Sequence, residues 1–194
     1  MTPSASGSLV PELEDLRKQI DGIVSDAQKL TAGISDRQFN WQPQPGRWSM
    51  AQCLVHLNLA GAILAPRIEA SIRAARGQGF VGPGPYRRGF LGNLVVRLTE
   101  PPPKIRFKAP KSMAPPAAEP LTRVVASFLA LQDQLREQIL HANGVDLGRA
   151  KVAFPVAEWL HIALGQAFMV IAAHERRHLW QAWQIRNDPQ FPKS

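Results

Sequence analysis

Two histidines stand four residues apart near the end of the longest apolar segment of the chain, at His174 and His178. On a helix, a spacing of four places both imidazoles on one face, about one turn apart. His56 lies on an earlier amphipathic segment, and imidazole is the commonest metal-binding side chain in proteins. If the two segments pack together, three histidines can bind a divalent metal and leave one coordination position open, as in catalytic sites.

The same stretch, HERRH, also matches the H-E-x-x-H motif of zinc peptidases. In such an enzyme Glu175 would be the general base that activates a metal-bound water. Those peptidases usually have a third ligand farther downstream. The sixteen residues after His178 contain no histidine or glutamate, and their one carboxylate is Asp188. The peptidase interpretation is therefore the weaker one.

The other metal-binding residue types are expected to have structural roles. His161 precedes His174 by 13 residues, which on one helix separates them by roughly 140° around the axis. His141 stands at a predicted helix end, where an imidazole interacts favourably with the helix C-terminus. Cys53, three residues before His56, could approach the site, but an inert buried thiol is the favoured interpretation.

Apolar residues recur at helical spacing in four segments, which predict four helices. The second begins with a capping box formed by Ser49 and Gln52, and Pro66 is expected to kink it or to end its regular part. The fourth is apolar on most faces, as in a helix buried in a core. No strand is expected. The four segments cover approximately residues 9–34, 49–76, 120–142 and 156–186.

The segments predict an all-α fold, a four-helix bundle in a single domain over residues 9–188. Residues 1–8 are expected to form a disordered lead and residues 189–194 a tail. Residues 78–118 contain eight prolines and five glycines, too many for one regular element. We expect them to form a long irregular crossover between the second and third helices, with a short helix at 89–98.

The net charge of +8 is concentrated in this crossover. A basic strip can bind phosphates, so nucleic-acid binding is a further hypothesis. Few aromatic residues accompany the cations and no nucleic-acid motif is present, which favours a solvated linker. Glu100 is the one acidic residue between Pro85 and Ser112, against the cations Arg87, Arg88, Arg97, Lys104, Arg106, Lys108 and Lys111.

The composition also limits where the protein acts. No run reaches 18 apolar residues, so neither a transmembrane helix nor a membrane partner is expected. The N-terminus has no basic start followed by an apolar stretch, so it is not expected to be a secretory signal. A single cysteine excludes an internal disulfide framework and fits a reducing compartment. The expected location is therefore the cytoplasm.

The stretches around the histidines resemble the motifs of the DinB superfamily, a group of four-helix bundles. The first stretch, WSMAQCLVHL, covers residues 48–57, and the second, HERRHLWQ, covers residues 174–181. The pair Phe154-Pro155 before the expected fourth helix fits the family too. The resemblance covers nearly the whole chain, from about residue 10 to residue 187.

The resemblance implies an up-down-down-up bundle with its long crossover at residues 78–118. It also implies a metal triad with one histidine from the second helix and two from the fourth. Carried over residue by residue, these are His56, His174 and His178. Zinc or nickel is the usual metal, with water in the open positions. Glu175 would then stand next to the ligands and could support one of them by hydrogen bonding.

Family members with known activity include transferases that use low-molecular-weight bacterial thiols and a mycothiol-dependent isomerase. The resemblance therefore implies a divalent-metal-dependent transferase, isomerase or hydrolase that acts on a small electrophile. Its expected partners are a small-molecule substrate and a low-molecular-weight thiol, and an apolar helix face could form a homodimer. Many members have no known reaction, so the alternative is a non-catalytic bundle, structural or partner-binding, with or without metal.

If metal binds, the candidate pocket residues are Trp48, Asn58, Trp180 and Gln181. Each has a packing alternative. Trp48 precedes a helix N-cap, where an apolar residue often packs against the first turns of the helix. Trp180 and Trp183 stand at helical spacing, which is typical of residues that pack against a neighbouring element.

Overall fold

The computed structural model describes residues 8–82, 84–86, 89–103, 109–155 and 157–193. The described chain is mostly helical, with one small antiparallel hairpin and a 3₁₀ turn at Lys111–Met113. The helices are α1 (Pro11–Thr31), α2 (Asp36–Phe39), α3 (Met50–Gly77), α4 (Phe90–Thr99), α5 (Leu121–His141) and α6 (Leu164–Arg186), and the strands are β1 (Lys151–Phe154) and β2 (Ala157–Ala163).

Four long helices surround one hydrophobic core. α3 packs against α5 and α6, and α1 packs against the same two helices from the other side. Each buries an apolar stripe, as in the run Leu13, Leu16, Ile20 and Ile23 of α1. The predicted mostly helical fold is thus confirmed, and the up-down-down-up order of helix directions stays a prediction. No helix in the described ranges combines the length and hydropathy needed to cross a bilayer.

The fourth predicted helix is wrong in its first part. α6 begins only at Leu164, because the preceding residues form β2, which pairs with β1 through Val152 and Ile162. The first part of β2 is exposed or half-buried, with Trp159 and His161 exposed, and the strand becomes buried at Ile162 and Ala163. The expectations of no strand and of His161 on the helix are therefore corrected, and Phe154-Pro155 belongs to the hairpin.

The short helix predicted in the crossover is confirmed as α4, which packs on α6. Nε2 of Gln166 donates hydrogen bonds to the Gly89 carbonyl and to Oδ1 of Asn93. A Cβ at Gly92 would lie 2.2 Å from Oε1 of Gln166, so a larger residue would displace this hydrogen-bonded amide. The side chain of Glu100, at the end of α4, pairs with the guanidinium of Arg176.

Several predictions fall on residues outside the described ranges. The disordered lead is one, except for Ser8. Most of the basic strip is another, since the structure describes only Arg97 and Lys111 of its seven cations and leaves out Arg87, Arg88, Lys104, Arg106 and Lys108.

α3 begins as predicted and continues past its proline. The Oγ of Ser49 accepts a hydrogen bond from the Gln52 backbone N–H at 3.1 Å, and Oε1 of Gln52 accepts from the Ser49 N–H at 3.0 Å. The helix then continues through Pro66 to Gly77, which confirms the predicted extent to about residue 76. Pro66 therefore does not end the helix, and a kink at this residue stays a prediction. The capping box thus fixes the start of α3 about two turns before His56.

We expect Ser49→Ala to lower the free energy of unfolding by about 1 kcal/mol, because it leaves the backbone N–H of Gln52 without its hydrogen-bond partner. Ser49→Gly should cost only a few tenths of a kcal/mol, because glycine is itself a favoured N-cap residue. Urea unfolding of the two variants beside the wild type measures both effects. A glycine variant less stable than the alanine variant would contradict this role of the cap.

Candidate metal centre

The structure brings the three predicted histidines together. One ring nitrogen each from His56 on α3 and from His174 and His178 on α6 lie within 4.8 Å of one another. The ring centroids of His56 and His178 are 4.7 Å apart, as are those of His174 and His178. The packing of α3 against α6 places His56 level with His174 and His178. The spacing of residues along one helix could not predict this.

The tautomer of His56 is fixed by the crossover. Its Nδ1 lies 2.8 Å from the backbone carbonyl oxygen of Met113, in the 3₁₀ turn. A carbonyl can only accept, so Nδ1 carries the proton and Nε2 of the neutral ring carries a lone pair. Such a hydrogen bond to the far nitrogen is the usual way in which a metal-binding histidine is oriented.

The spacing of the nitrogens fits a shared metal ion. Nε2 of His56 lies 3.3 Å from Nε2 of His174. Two nitrogens bound to one tetrahedral ion at about 2.0–2.1 Å would stand about 3.3 Å apart. In the metal-free protein the same separation allows Nε2–H of His174 to donate a hydrogen bond to Nε2 of His56. Three neutral imidazoles are also a donor set that suits a divalent cation.

Burial keeps the three rings in the neutral form that binds metal. His56 is 4% exposed and His178 is 8% exposed. Burial lowers the pKa of His174 to about 3, with a smaller contribution from repulsion by His56 and Arg177. Burial likewise lowers the pKa of His178 well below its usual value and lowers that of His56. The triad therefore does not need to lose protons before binding a metal at neutral pH.

Trp48 covers the triad from one side. Its ring centroid lies 5.0 Å from that of His56 and 5.6 Å from that of His178, and the ring stacks on His178 with an interplanar angle of 27°. Trp48 is half-buried, so its indole limits the access of water to two of the three rings. The structure thus places this candidate pocket residue at the site.

The remaining candidate pocket residues have different positions. Gln181 lies next to His178, and its amide raises the pKa of that ring slightly against the dominant effect of burial. Nδ2 of Asn58 donates to the Val124 carbonyl, which ties α3 to α5. Trp180 is 37% exposed on α6. Nε1 of Trp183 donates to Oδ1 of Asp26 on α1, as the packing interpretation predicted.

An apolar cavity of about 120 Å³ adjoins the triad at His174. Five aliphatic residues of α3 and α6 line one part of its wall, and Thr99, Met113 and the Phe154-Pro155 pair close it from the crossover and the hairpin. The crossover and the hairpin, which the sequence patterns predicted least well, thus complete the wall of the cavity.

Glu175 is the acidic residue of the cavity wall and is 2% exposed. Its Oε1 accepts a hydrogen bond from Nε2 of Gln132 on α5 at 2.7 Å. Its Oε2 is buried and has no hydrogen-bond partner within the described part of the chain. Burial raises the pKa of Glu175 to about 7, against the opposing effects of Gln132 and Arg176. The observed partner of the carboxylate is therefore Gln132, and support of a metal ligand by Glu175 stays a prediction.

Two functional residues were missed from the sequence. Met113 acts through its backbone carbonyl, which no side-chain pattern reveals. Gln132 could have been detected, because it lies four residues after Phe128 on the predicted apolar stripe of α5. In the structure it is fully buried. A buried glutamine on such a stripe needs a polar partner.

The other candidate ligands lie apart from the triad. Cys53 is packed in the core, and burial raises the pKa of its thiol far above the usual value, which makes it a poor nucleophile. His141 is exposed in the last turn of α5, and His161 is exposed on β2. These positions agree with the structural roles expected for all three residues.

Comparison with known protein families gives one informative match. The family model described as the DinB superfamily matches residues 19–182. The matched range contains the three histidines, Trp48 and Glu175. No curated protein and no solved structure matches the chain.

Proposed function

The chain belongs to the DinB superfamily, and from this membership and the geometry of the triad we propose that it is a divalent-metal-dependent enzyme. His56, His174 and His178 would bind zinc or nickel and leave at least one position open to a reactant. The observation that carries the proposal is that one ring nitrogen of each of the three histidines lies within 4.8 Å of the others. Two rings alone would be explained by a hydrogen bond, whereas three converging neutral imidazoles support a shared cation.

The reaction we propose is attack of a thiol or of water on a small electrophile, in a transferase, isomerase or hydrolase. A bound divalent ion would lower the pKa of the attacking thiol or water, so that the nucleophile exists at neutral pH. The chain itself would orient His56 through Met113, shield the rings with Trp48 and seat an apolar part of the substrate in the adjoining cavity. Where the nucleophile is a thiol, excluding bulk water from the cavity would limit competing hydrolysis of the electrophile.

The proposal also includes a co-substrate, a cellular location and an oligomeric state. We propose a low-molecular-weight thiol as the co-substrate and the cytoplasm as the location, which the single cysteine supports. A homodimer through an apolar helix face and the up-down-down-up order of the bundle also stay predictions from the family. We do not expect nucleic acid to be a partner.

The experiment compares the zinc- or nickel-loaded protein with the variant His56→Ala. The assay follows conjugation of monobromobimane to cysteine, with and without protein. We expect a metal-dependent rate that falls more than about 100-fold in His56→Ala, since even changes beyond the ligands themselves cost about 10–100-fold. His161→Ala, which removes an exposed histidine on β2, is the matched control and should keep the rate.

Three outcomes separate the proposal from the non-catalytic alternative. A rate that depends on metal and on His56 supports the enzyme. A protein that binds metal at the triad but accelerates neither thiol nor water attack across a panel of electrophiles would be a metal-containing scaffold. Equal rates in the wild type and His56→Ala would contradict a role for the triad.

A further inference from the structure

The unpaired oxygen of the Glu175 carboxylate indicates what kind of ligand the cavity would bind. Glu175 is 2% exposed, and while Oε1 is bonded to Gln132, Oε2 is buried without a partner in the described ranges. A buried acceptor left unpaired costs about 1–3 kcal/mol, more for a charged group, so each such atom needs an explanation. A donor brought by a ligand would remove this cost.

The rest of the cavity allows little else that is polar. Its volume is about 120 Å³, and Leu57, Leu64, Val170 and Ile171 contribute to the wall. For comparison, an apolar protein cavity of about 150 Å³ binds benzene. The space therefore suits a compact apolar group of about five or six non-hydrogen atoms.

The charges around the cavity favour an uncharged ligand. Arg176 and Arg177 follow Glu175 directly in α6, and both lower the pKa of groups at the site through their positive charge. The guanidinium of Arg176 is paired with Glu100, and that of Arg177 donates to the Leu98 carbonyl at 3.3 Å. A cationic ligand would add positive charge beside two arginines and the proposed metal, whereas a neutral donor would not.

We propose that the cavity binds an uncharged, compact apolar group that carries one N–H or O–H donor, and that Oε2 of Glu175 accepts the hydrogen bond from this donor. Glu175 would then select the substrate of the site beside the metal. The catalytic consequence rests on the proposed function, but the binding preference does not, because Glu175 acts in the protein with or without metal.

The test uses two five-membered rings of equal size. Pyrrole carries one N–H donor, whereas furan has none, and both are uncharged. We expect ligand-observed NMR titration of the full chain at pH 8.5, where Oε2 of Glu175 is unprotonated, to show pyrrole binding about tenfold more tightly than furan, in line with the cost of an unpaired buried acceptor. Glu175→Met keeps the side-chain length but removes the acceptor. In this variant pyrrole and furan should bind about equally tightly.

Further variants keep the test decisive if Glu175→Met is poorly folded. The double variant Glu175→Met with Gln132→Leu removes both members of the hydrogen bond, a change that is often nearly neutral for stability, and should also lose the preference. Ala60→Leu, which fills the cavity, should weaken both probes equally. Circular dichroism establishes that each variant is folded.

The outcomes distinguish this inference from the proposed function. An equal pyrrole preference in wild type and Glu175→Met, tighter binding of pyrrolidinium than of pyrrole, or binding of neither ring would overturn the inference. Each titration is made on zinc-loaded and on EDTA-treated protein. A pyrrole preference that persists in a chain found to bind no metal would uphold the inference while the proposed function fails.

Discussion

Replacing His174 and His178 together with alanine should abolish stoichiometric binding of divalent metal while the bundle stays folded. The variant keeps only His56 of the three nitrogens that lie within 4.8 Å of one another, and one imidazole cannot hold the ion. The fold should persist because the core of α1, α3, α5 and α6 is built from other, hydrophobic side chains.

Elemental analysis after zinc or nickel loading, with far-ultraviolet circular dichroism of the same samples, measures both parts of this prediction. The matched control is His141→Ala with His161→Ala, which removes two histidines that are exposed elsewhere in the structure. The control should bind as much metal as the wild type. Unchanged metal content in the triad variant would mean that the site lies elsewhere.

The metal-free protein should lose stability as the pH falls from about 6.5 to about 4.5. Burial lowers the pKa of His174 in the folded state to about 3, from an ordinary value of 6.5. Below the ordinary value the unfolded chain binds a proton that the folded chain does not, so the free energy of unfolding decreases toward acid. The slope is about 1.4 kcal/mol per pH unit for each such histidine, and the lowered pKa of His178 acts in the same direction.

Glu175 opposes this loss in part. Its pKa is raised to about 7 in the folded state from an ordinary 4.5, so between these values the folded chain binds the extra proton and stability rises toward acid. At least two histidines act against one carboxylate, so we expect a net loss of a few kcal/mol over this window. Glu175→Gln removes the opposing contribution and should make the loss steeper.

Urea unfolding of EDTA-treated protein at pH 7.5, 6.5, 5.5 and 4.5 measures the effect. The variant with His174→Ala and His178→Ala should show much less loss between pH 6.5 and 4.5 than the wild type. A wild type equally stable at pH 7.5 and 4.5 would show that the triad is not buried in neutral form.

The elements with a clear helical period were predictable from the sequence. The hydrophobic stripes of α1, α3 and α5 and the capping box at Ser49 depend on local spacing and local hydrogen bonds, and both can be read directly. The start of α6 could not be read in this way. Residues 157–163, AEWLHIA, are mostly apolar but include Glu158 and His161. A short, mostly apolar segment of this kind does not distinguish a helix from a strand.

The candidate site was predictable in its ligands but not in its surroundings. A spacing of four fixes His174 and His178 on one face, whereas the approach of His56 depends on how α3 packs against α6, and here only the family resemblance supplied the match. The Met113 carbonyl comes from an irregular segment and carries no side-chain signal. The hydrogen bond between α5 and α6 joins Gln132 to Glu175, two residues 43 positions apart in sequence. No local sequence pattern specifies this pairing.

The central claim is that three imidazoles bind one divalent ion and leave a position open. X-ray absorption spectroscopy of the zinc-loaded protein tests it most directly, because it reports the kind and distance of the atoms around the metal. We predict nitrogen and oxygen neighbours at about 2.0–2.1 Å, with the outer scattering of three imidazoles and at least one further light atom. A sulfur neighbour at about 2.3 Å, as Cys53 would give, or fewer than two imidazoles, would contradict the account.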